Sequence, residues 1–292
     1  MGETAALASA LIGALESIFI RSLTQKVPIL IMNTTLAIFV TLFYLIIFPL
    51  SGQASDLRHA PLFIVALTVA SGAIGLTVGF TLNNTSLKLA GVARALPTQR
   101  SSFAIFTLTF AVLFLDEHVT WFTVLGMVSV LTGLYAISDA GKKASPSAEG
   151  SRKNLGLLLA IASGLVGAGL TYAIRIALKE LPVVTVNFIR FPAGAIALLA
   201  VASLLPGGYH PAKYGRKALI TMALVGFVGF GLGSFTFTYA VQQAGAAKTA
   251  ILSSTAPLFA LPLSLLILKE KVTLRLAMGT VLSVVGIALI VL

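Results

Sequence analysis

The chain has no cysteine. Disulfides and thiolate metal sites are therefore excluded. Charge is scarce as well: 10% of the 292 residues are Asp, Glu, Lys or Arg, where an ordinary soluble domain carries about 25%. Histidine is limited to His59, His118 and His210. Each lies in a short polar gap, and no two share a helix at ligand spacing, so they read as solvated interfacial residues and no metal site is expected. There is no Ser/His/Asp pattern, no P-loop and no dinucleotide fingerprint. Nothing asks for an enzyme, a catalytic residue or a cofactor. The opening stretch, MGETAALASALIGALESIFI, lacks the basic region of a cleavable signal and reads as a first membrane helix.

What is present is apolar. Hydrophobic residues make up 58% of the chain, and the mean hydropathy is +1.01. A soluble globule cannot hide that much apolar surface, because much of any globule must face water; lipid removes the constraint. The formal charge is +11, from 20 Lys and Arg against 9 Asp and Glu. Such a balance fits nucleic acid or a membrane surface. Here the basic residues sit mostly in short gaps between apolar runs. The expected partner is a lipid bilayer and not nucleic acid.

A helix needs about 20 mostly apolar residues to cross the hydrocarbon core. Such runs fall near 4–20, 28–50, 61–86, 91–115 and 119–138, then near 155–174, 182–205, 218–241, 246–268 and 272–292. Unpaired backbone groups in lipid cost several kcal/mol each, so these runs must be helices. Strands of a barrel would alternate apolar and polar residues, and these do not. Pro28, Pro61 and Pro182 stand at helix starts, where a missing N–H does no harm. The expected organisation is 1–138 as one five-helix unit, a polar linker at 139–154, and 155–292 as a second unit.

The two units repeat. At a shift of 154, Ser9 meets Ser163, Gly13 meets Gly167, Arg21 meets Arg175, Pro28 meets Pro182 and Asn33 meets Asn187. Gly72, Gly75 and Gly79 meet Gly226, Gly229 and Gly233, and AGVAR at 90–94 meets AGAAK at 244–248. At a shift of 153, Glu117 meets Glu270, and Gly126 and Gly133 meet Gly279 and Gly286. Matches of Arg, Pro and Asn at one offset are informative in so apolar a chain. Five spans per unit is an odd number, so the second unit enters the membrane from the opposite side. The expected fold is all-α and membrane-integral, ten transmembrane helices as two inverted repeats around a central cavity. Loops after spans 1, 3, 5, 7 and 9, with flanking helix ends, hold 15 Lys and Arg, and the other face holds 4. By the positive-inside rule the termini face outward.

Each unit ends in a short acidic turn and a glycine-spaced helix: LDEHVTWFTVLGMVSVLTGLYAI and LKEKVTLRLAMGTVLSVVGIALIV. The second unit adds VNFIRFPAGAIALLAV and FTYAVQQAGAAKTAILSSTAPLFALPLSLLILKE. Over nearly its whole length the chain resembles the EamA-type branch of the drug/metabolite transporter superfamily. Within that branch it is most similar to bacterial inner-membrane exporters of amino acids, aromatic ones included. The arginine of the family's second-helix pattern stands at Arg190, while its first-unit counterpart is Leu36.

Candidate binding residues are polar groups inside apolar runs. Glu16 lies deep in the first span; an acid there costs about 2.5–3.5 kcal/mol on insertion scales and needs a cavity or a partner. It reads as a proton or cation site, or as the partner of a buried arginine. Small multidrug transporters of the same superfamily also carry a first-helix glutamate. Gln99, Arg100 and Ser101 lie in PTQRSS, where Pro97 loosens the helix. Arg100 suits a carboxylate, or neutralises Glu16. Ser253 and Ser254 occupy the aligned stretch of span 9, lining a cavity or bonding back to their own helix. Asn33, Asn187, Asn83, Asn84, Tyr172 and Tyr239 read as cavity wall, with helix–helix glue as the plainer alternative. Arg190 reads as an anchor of span 7. The GxxxG pairs Gly75–Gly79 and Gly229–Gly233 read as close packing, and Glu117 and Glu270 as caps or ion-pair partners.

The expected function is a secondary transporter of small metabolites, amino acids foremost, acting as a monomer by alternating access in the inner membrane. The alternative is a proton-coupled exporter of lipophilic cations. A packed, non-transporting membrane scaffold would instead lack a central cavity.

Overall fold

Prolines mark where several helices begin. Pro28, Pro61 and Pro182 stand at the N-terminal boundaries of helices in the computed structural model of the protein. The structure describes residues 1–115, 117, 119–139, 149–204, 208–256, 258–260 and 274–291. Among these residues all regular structure is helical.

The principal helices are α1 (Gly2–Leu23), α2 (Ile29–Leu50), α3 (Leu62–Ala90), α4 (Val92–Phe114) and α5 (Trp121–Asp139). They continue with α6 (Glu149–Ala177), α7 (Val183–Ser203), α8 (Arg216–Ala244), α9 (Ala246–Ser253) and α10 (Leu274–Val291). Six of them, α1, α2, α3, α6, α7 and α8, are long and apolar enough to cross a bilayer. Their outer faces expose large apolar side chains, among them Phe19, Leu45, Leu158 and Ile196, which is what a lipid-facing surface requires. The run expected at 246–268 is described as helix over Ala246–Ser253, and Pro257 and Glu270 lie outside the described residues. Helix α6 begins at Glu149, inside the stretch read as linker.

Two single glycines reverse the chain. Gly91 joins α3 to α4 at φ +77, and Gly245 joins α8 to α9 at φ +84. Only glycine adopts this left-handed backbone without steric cost. Two wide π-helical turns were not expected: Gly75–Gly79 within α3 and Val225–Leu232 within α8. Such turns are rare and cluster at functional sites.

Contacts recur at the repeat offset of 154. Asn84 donates to Asn33 across 2.7 Å, and Thr238 donates to Asn187 across 3.3 Å. Arg21 donates to the carbonyls of Leu87 and Lys88, and Arg175 to those of Val241 and Gln242. Other pairs cross between the halves. Ser9 donates to Gly233 O, and Ser163 to Gly79 O. Gly72 lies against the carbonyl of Arg190, and Gly226 against Phe39 and the carbonyl of Leu36. Thus α3 packs on α7 as α8 packs on α2. An aromatic seam joins α2 to α7, with Phe48 stacked on Phe188 and Tyr44 on Phe191 at centroid distances of 3.9 and 5.2 Å. Helices α5 and α10 pair through Gly126 and Gly286, each within van der Waals contact of the other's backbone.

Candidate functional site

The glycines of the π turns bring helices close at mid-span. A Cβ placed on Gly229 would stand 3.2 Å from Cγ of Glu16. One placed on its mate Gly75 would stand 3.0 Å from Cδ1 of Leu170, the mate of Glu16. On α1, Gly13 leaves room for Arg100, whose Nη2 would lie 3.0 Å from a Cβ there. These small residues leave a cavity of about 250 Å³ between α1, α3, α4, α6, α7 and α8.

Its lining follows helical periodicity. Helix α4 contributes Leu96, Gln99, Arg100 and Phe103, one face at spacings of three and four. Helix α1 contributes Ser9, Gly13, Glu16 and Ser17 in the same way. Charge comes from Glu16, Arg100 and Arg190, and aromatic surface from Phe80, Phe103, Phe191, Phe230 and Phe237. Such a mixture, an apolar wall with a few convergent polar groups, is the usual form of a small-molecule site.

The three charges are held differently. Glu16 and Arg100 interact electrostatically, yet no ion pair within 4 Å joins them among the described residues. The Nε of Arg100 is buried without a hydrogen-bond partner. Arg190 is tied from behind. Its Nε donates to Ser71 Oγ and its Nη1 to Asn187 Oδ1, each at 3.2 Å.

The structure brings four of the expected site residues to the cavity wall: Glu16, Asn83, Gln99 and Arg100. Asn33 and Asn84 are buried against one another outside the wall, bonded as helix–helix glue. Asn187 stands behind Arg190. Ser101 is rotated off the lining face of α4, one residue past Arg100. Ser253 bonds back to Ala250 O, and Ser254 to Ala250 O and to the carbonyl of Arg100. Tyr172 meets Phe114 edge-on at 5.9 Å, and Tyr239 stacks on Phe235 at 6.3 Å; neither lines the cavity. Arg190, read from sequence as an anchor, both anchors α7 and lines the cavity. Ser234 and Thr238 also line it and were not singled out. The helical face drawn through Phe230, Ser234 and Phe237 carried that signal.

At one side Glu117 ties the two halves together. Its carboxylate accepts the backbone N–H of Ala246 at 2.8 Å and of Ala247 at 3.0 Å, capping α9. It also pairs with Arg175 Nε at 3.3 Å. Glu117 is therefore both cap and ion-pair partner.

Comparison with known proteins adds to this geometry. The family model described as the EamA-like transporter family matches residues 1–139 and again residues 154–292. An uncharacterized transporter, YetK of Bacillus subtilis (strain 168), is 26% identical over 137 residues. That match spans 47% of this chain and 41% of YetK. One solved crystal structure shares the fold at a TM-score of 0.78 and 17% identity, covering 99% of this chain and 94% of its own.

Proposed function

Since the chain belongs to the EamA-like transporter family, and is thus a multi-pass membrane transporter of small solutes, we propose that it exports amino acids, aromatic ones included, across the bacterial inner membrane. In this reading ten spans form two inverted five-helix repeats, and the cavity opens alternately to either face. The polar stretch at 139–154 is the linker between the two repeats, its last residues running into α6. The protein works as a monomer, without a cofactor.

The observation that carries the reading is the cavity itself. It is closed in by helices of both halves, and it holds opposite charges beside five phenylalanines. An amino acid offers the matching groups, a carboxylate, an ammonium and a side chain. The reciprocal contacts of Ser9 with Gly233 and Ser163 with Gly79 support a two-fold exchange of the halves. A packed scaffold would have no use for a cavity with three charges in its wall.

The second reading, a proton-coupled exporter of lipophilic cations, is favoured by one feature. Glu16 lines the cavity and accepts no hydrogen bond among the described residues. Proteoliposomes containing the purified protein separate the two. Uptake of labelled amino acids, with and without a pH gradient, is expected. Uptake of lipophilic cations alone would replace the first reading with the second. Liposomes that take up neither class would remove both.

A further inference from the structure

The scaffold of the cavity is two-fold, but its charges are not. At the offset of 154, Glu16 corresponds to Leu170, Arg100 to Ser254 and Arg190 to Leu36. Every charge in the wall therefore lies at a position whose mate has none. The charged lining contributed by the first half is therefore unlike that contributed by the second.

The charges sort into two poles. Glu16 and Arg100, on α1 and α4 of the first half, put one acid and one base in the same wall. Arg190, on α7, has no carboxylate within 4 Å among the described residues. Its hydrogen-bond partners, Ser71 and Asn187, are neutral. Only Nε and Nη1 are engaged there, and the remaining guanidinium donors have no acceptor among the described residues. The adjoining Nδ2 of Asn187 is likewise buried without a partner. This pole is rich in donors and short of an acceptor. An ionised guanidinium held inside a membrane protein needs a counter-charge or strong acceptors. Protonation of Glu16 would only add to the excess of positive charge.

Resting on the reading of this cavity as the cargo site, we propose that Arg190 is the seat of a carboxylate on the cargo. The Glu16–Arg100 pair then is not the carboxylate's receptor, and the cargo class is a carboxylic acid with an aromatic or other apolar body. Ser71 and Asn187 fix the guanidinium, so its planar fork is presented rather than searched for. The guanidinium lies 5.7 Å over the ring of Phe191, which places an apolar face beside the anion seat. Lipophilic cations are excluded by the same excess charge.

The test is binding to the purified full-length protein by four related probes. They are L-phenylalanine, 3-phenylpropionate, L-phenylalaninamide and phenethylamine. The two acids are expected to bind, and the amide and amine to bind at least about ten-fold more weakly, the value of a hydrogen bond to a charged group. In Arg190→Gln this preference for the acids should vanish; in Arg190→Lys, which keeps the charge, part of it should remain. The preference is a ratio within one variant, so general destabilisation does not imitate its loss. Equal binding of acids and amines by the wild type, no binding of either acid, or a preference that survives in Arg190→Gln would overturn the assignment. Uptake by liposomes is read alongside. Transport that continues while Arg190→Gln keeps the preference removes the Arg190 seat and leaves the transporter reading. Acid-selective binding without uptake of any probe does the reverse.

Discussion

Ser254 donates its hydroxyl to the carbonyl oxygen of Arg100 across 2.8 Å, and the two residues are mates in the repeat, 154 positions apart. Arg100 lines the cavity, and its mate lies directly against its backbone. Its backbone is fixed by Ser254 and its side chain runs to Gly13. One mate supplies the charge and the other supplies the clamp.

The electrostatic link between Glu16 and Arg100 is testable by a double-mutant cycle. Glu16→Gln and Arg100→Gln each leave one membrane-embedded charge without its counter-charge. Each single change should lower the unfolding midpoint in detergent more than half as far as both together. A coupling of about 0.5–3 kcal/mol is expected for groups that interact directly. Strict additivity of the two shifts would mean that the charges ignore each other.

Gly91 and Gly245 occupy equivalent turns but not equivalent surroundings. Both have positive φ, so alanine at either costs roughly 1–2 kcal/mol in backbone strain. A Cβ at Gly91 meets nothing within 4 Å, whereas one at Gly245 stands 3.0 Å from both carboxylate oxygens of Glu117. Gly245→Ala should therefore lower the melting midpoint further than Gly91→Ala. Equal shifts would show that Glu117 moves aside freely.

The helices were legible because lipid leaves the backbone no alternative, and because Pro28, Pro61 and Pro182 mark their starts. The π turns were not legible. Gly75–Gly79 and Gly229–Gly233 show as spaced glycines in the sequence, but the spacing does not announce a widened turn, nor that Leu170 and Glu16 pack against Gly75 and Gly229. Glu16 and Arg100 stand out in the sequence because a charge in an apolar run needs a cavity or a partner, and both line the cavity. Ser101, Ser253 and Asn84 lie off the cavity wall, and a polar side chain in a span is satisfied as well by its own helix or by a neighbour, as Ser253 and Asn84 are. Arg190 anchors α7 and also lines the cavity, because its anchoring bonds occupy only part of the guanidinium, and sequence alone does not tell how many donors are left over.

Helices α5 and α10 touch each other through glycine, and none of their described residues lines the cavity. Gly126 faces the carbonyl of Gly286 and the side chain of Ile290. Gly126→Leu should separate this pair and destabilise by about 1–3 kcal/mol, the range for overpacking. Probe binding in the cavity should survive, because neither helix contributes to its lining. A loss of binding without a loss of stability would show that the pair controls the cavity.

The Glu117–Arg175 tie depends on the shape of arginine as well as its charge. Arg175 uses Nε for the Glu117 carboxylate and Nη1 for the carbonyls of Val241 and Gln242. It thereby closes the end of α8 while Glu117 caps the start of α9. A lysine has one nitrogen at the end of its chain and cannot span both partners in this geometry. Arg175→Lys should therefore destabilise nearly as much as Arg175→Gln, although it keeps the charge. Glu117→Gln retains one acceptor oxygen for α9 and loses the ion pair; Glu117→Ala loses both. The expected order of unfolding midpoints is wild type, then Glu117→Gln, then Glu117→Ala, with the loss of the cap worth about 1 kcal/mol. If Arg175→Lys matched the wild type, charge alone would hold the two halves at this point. The fork of hydrogen bonds onto α8 would then be incidental.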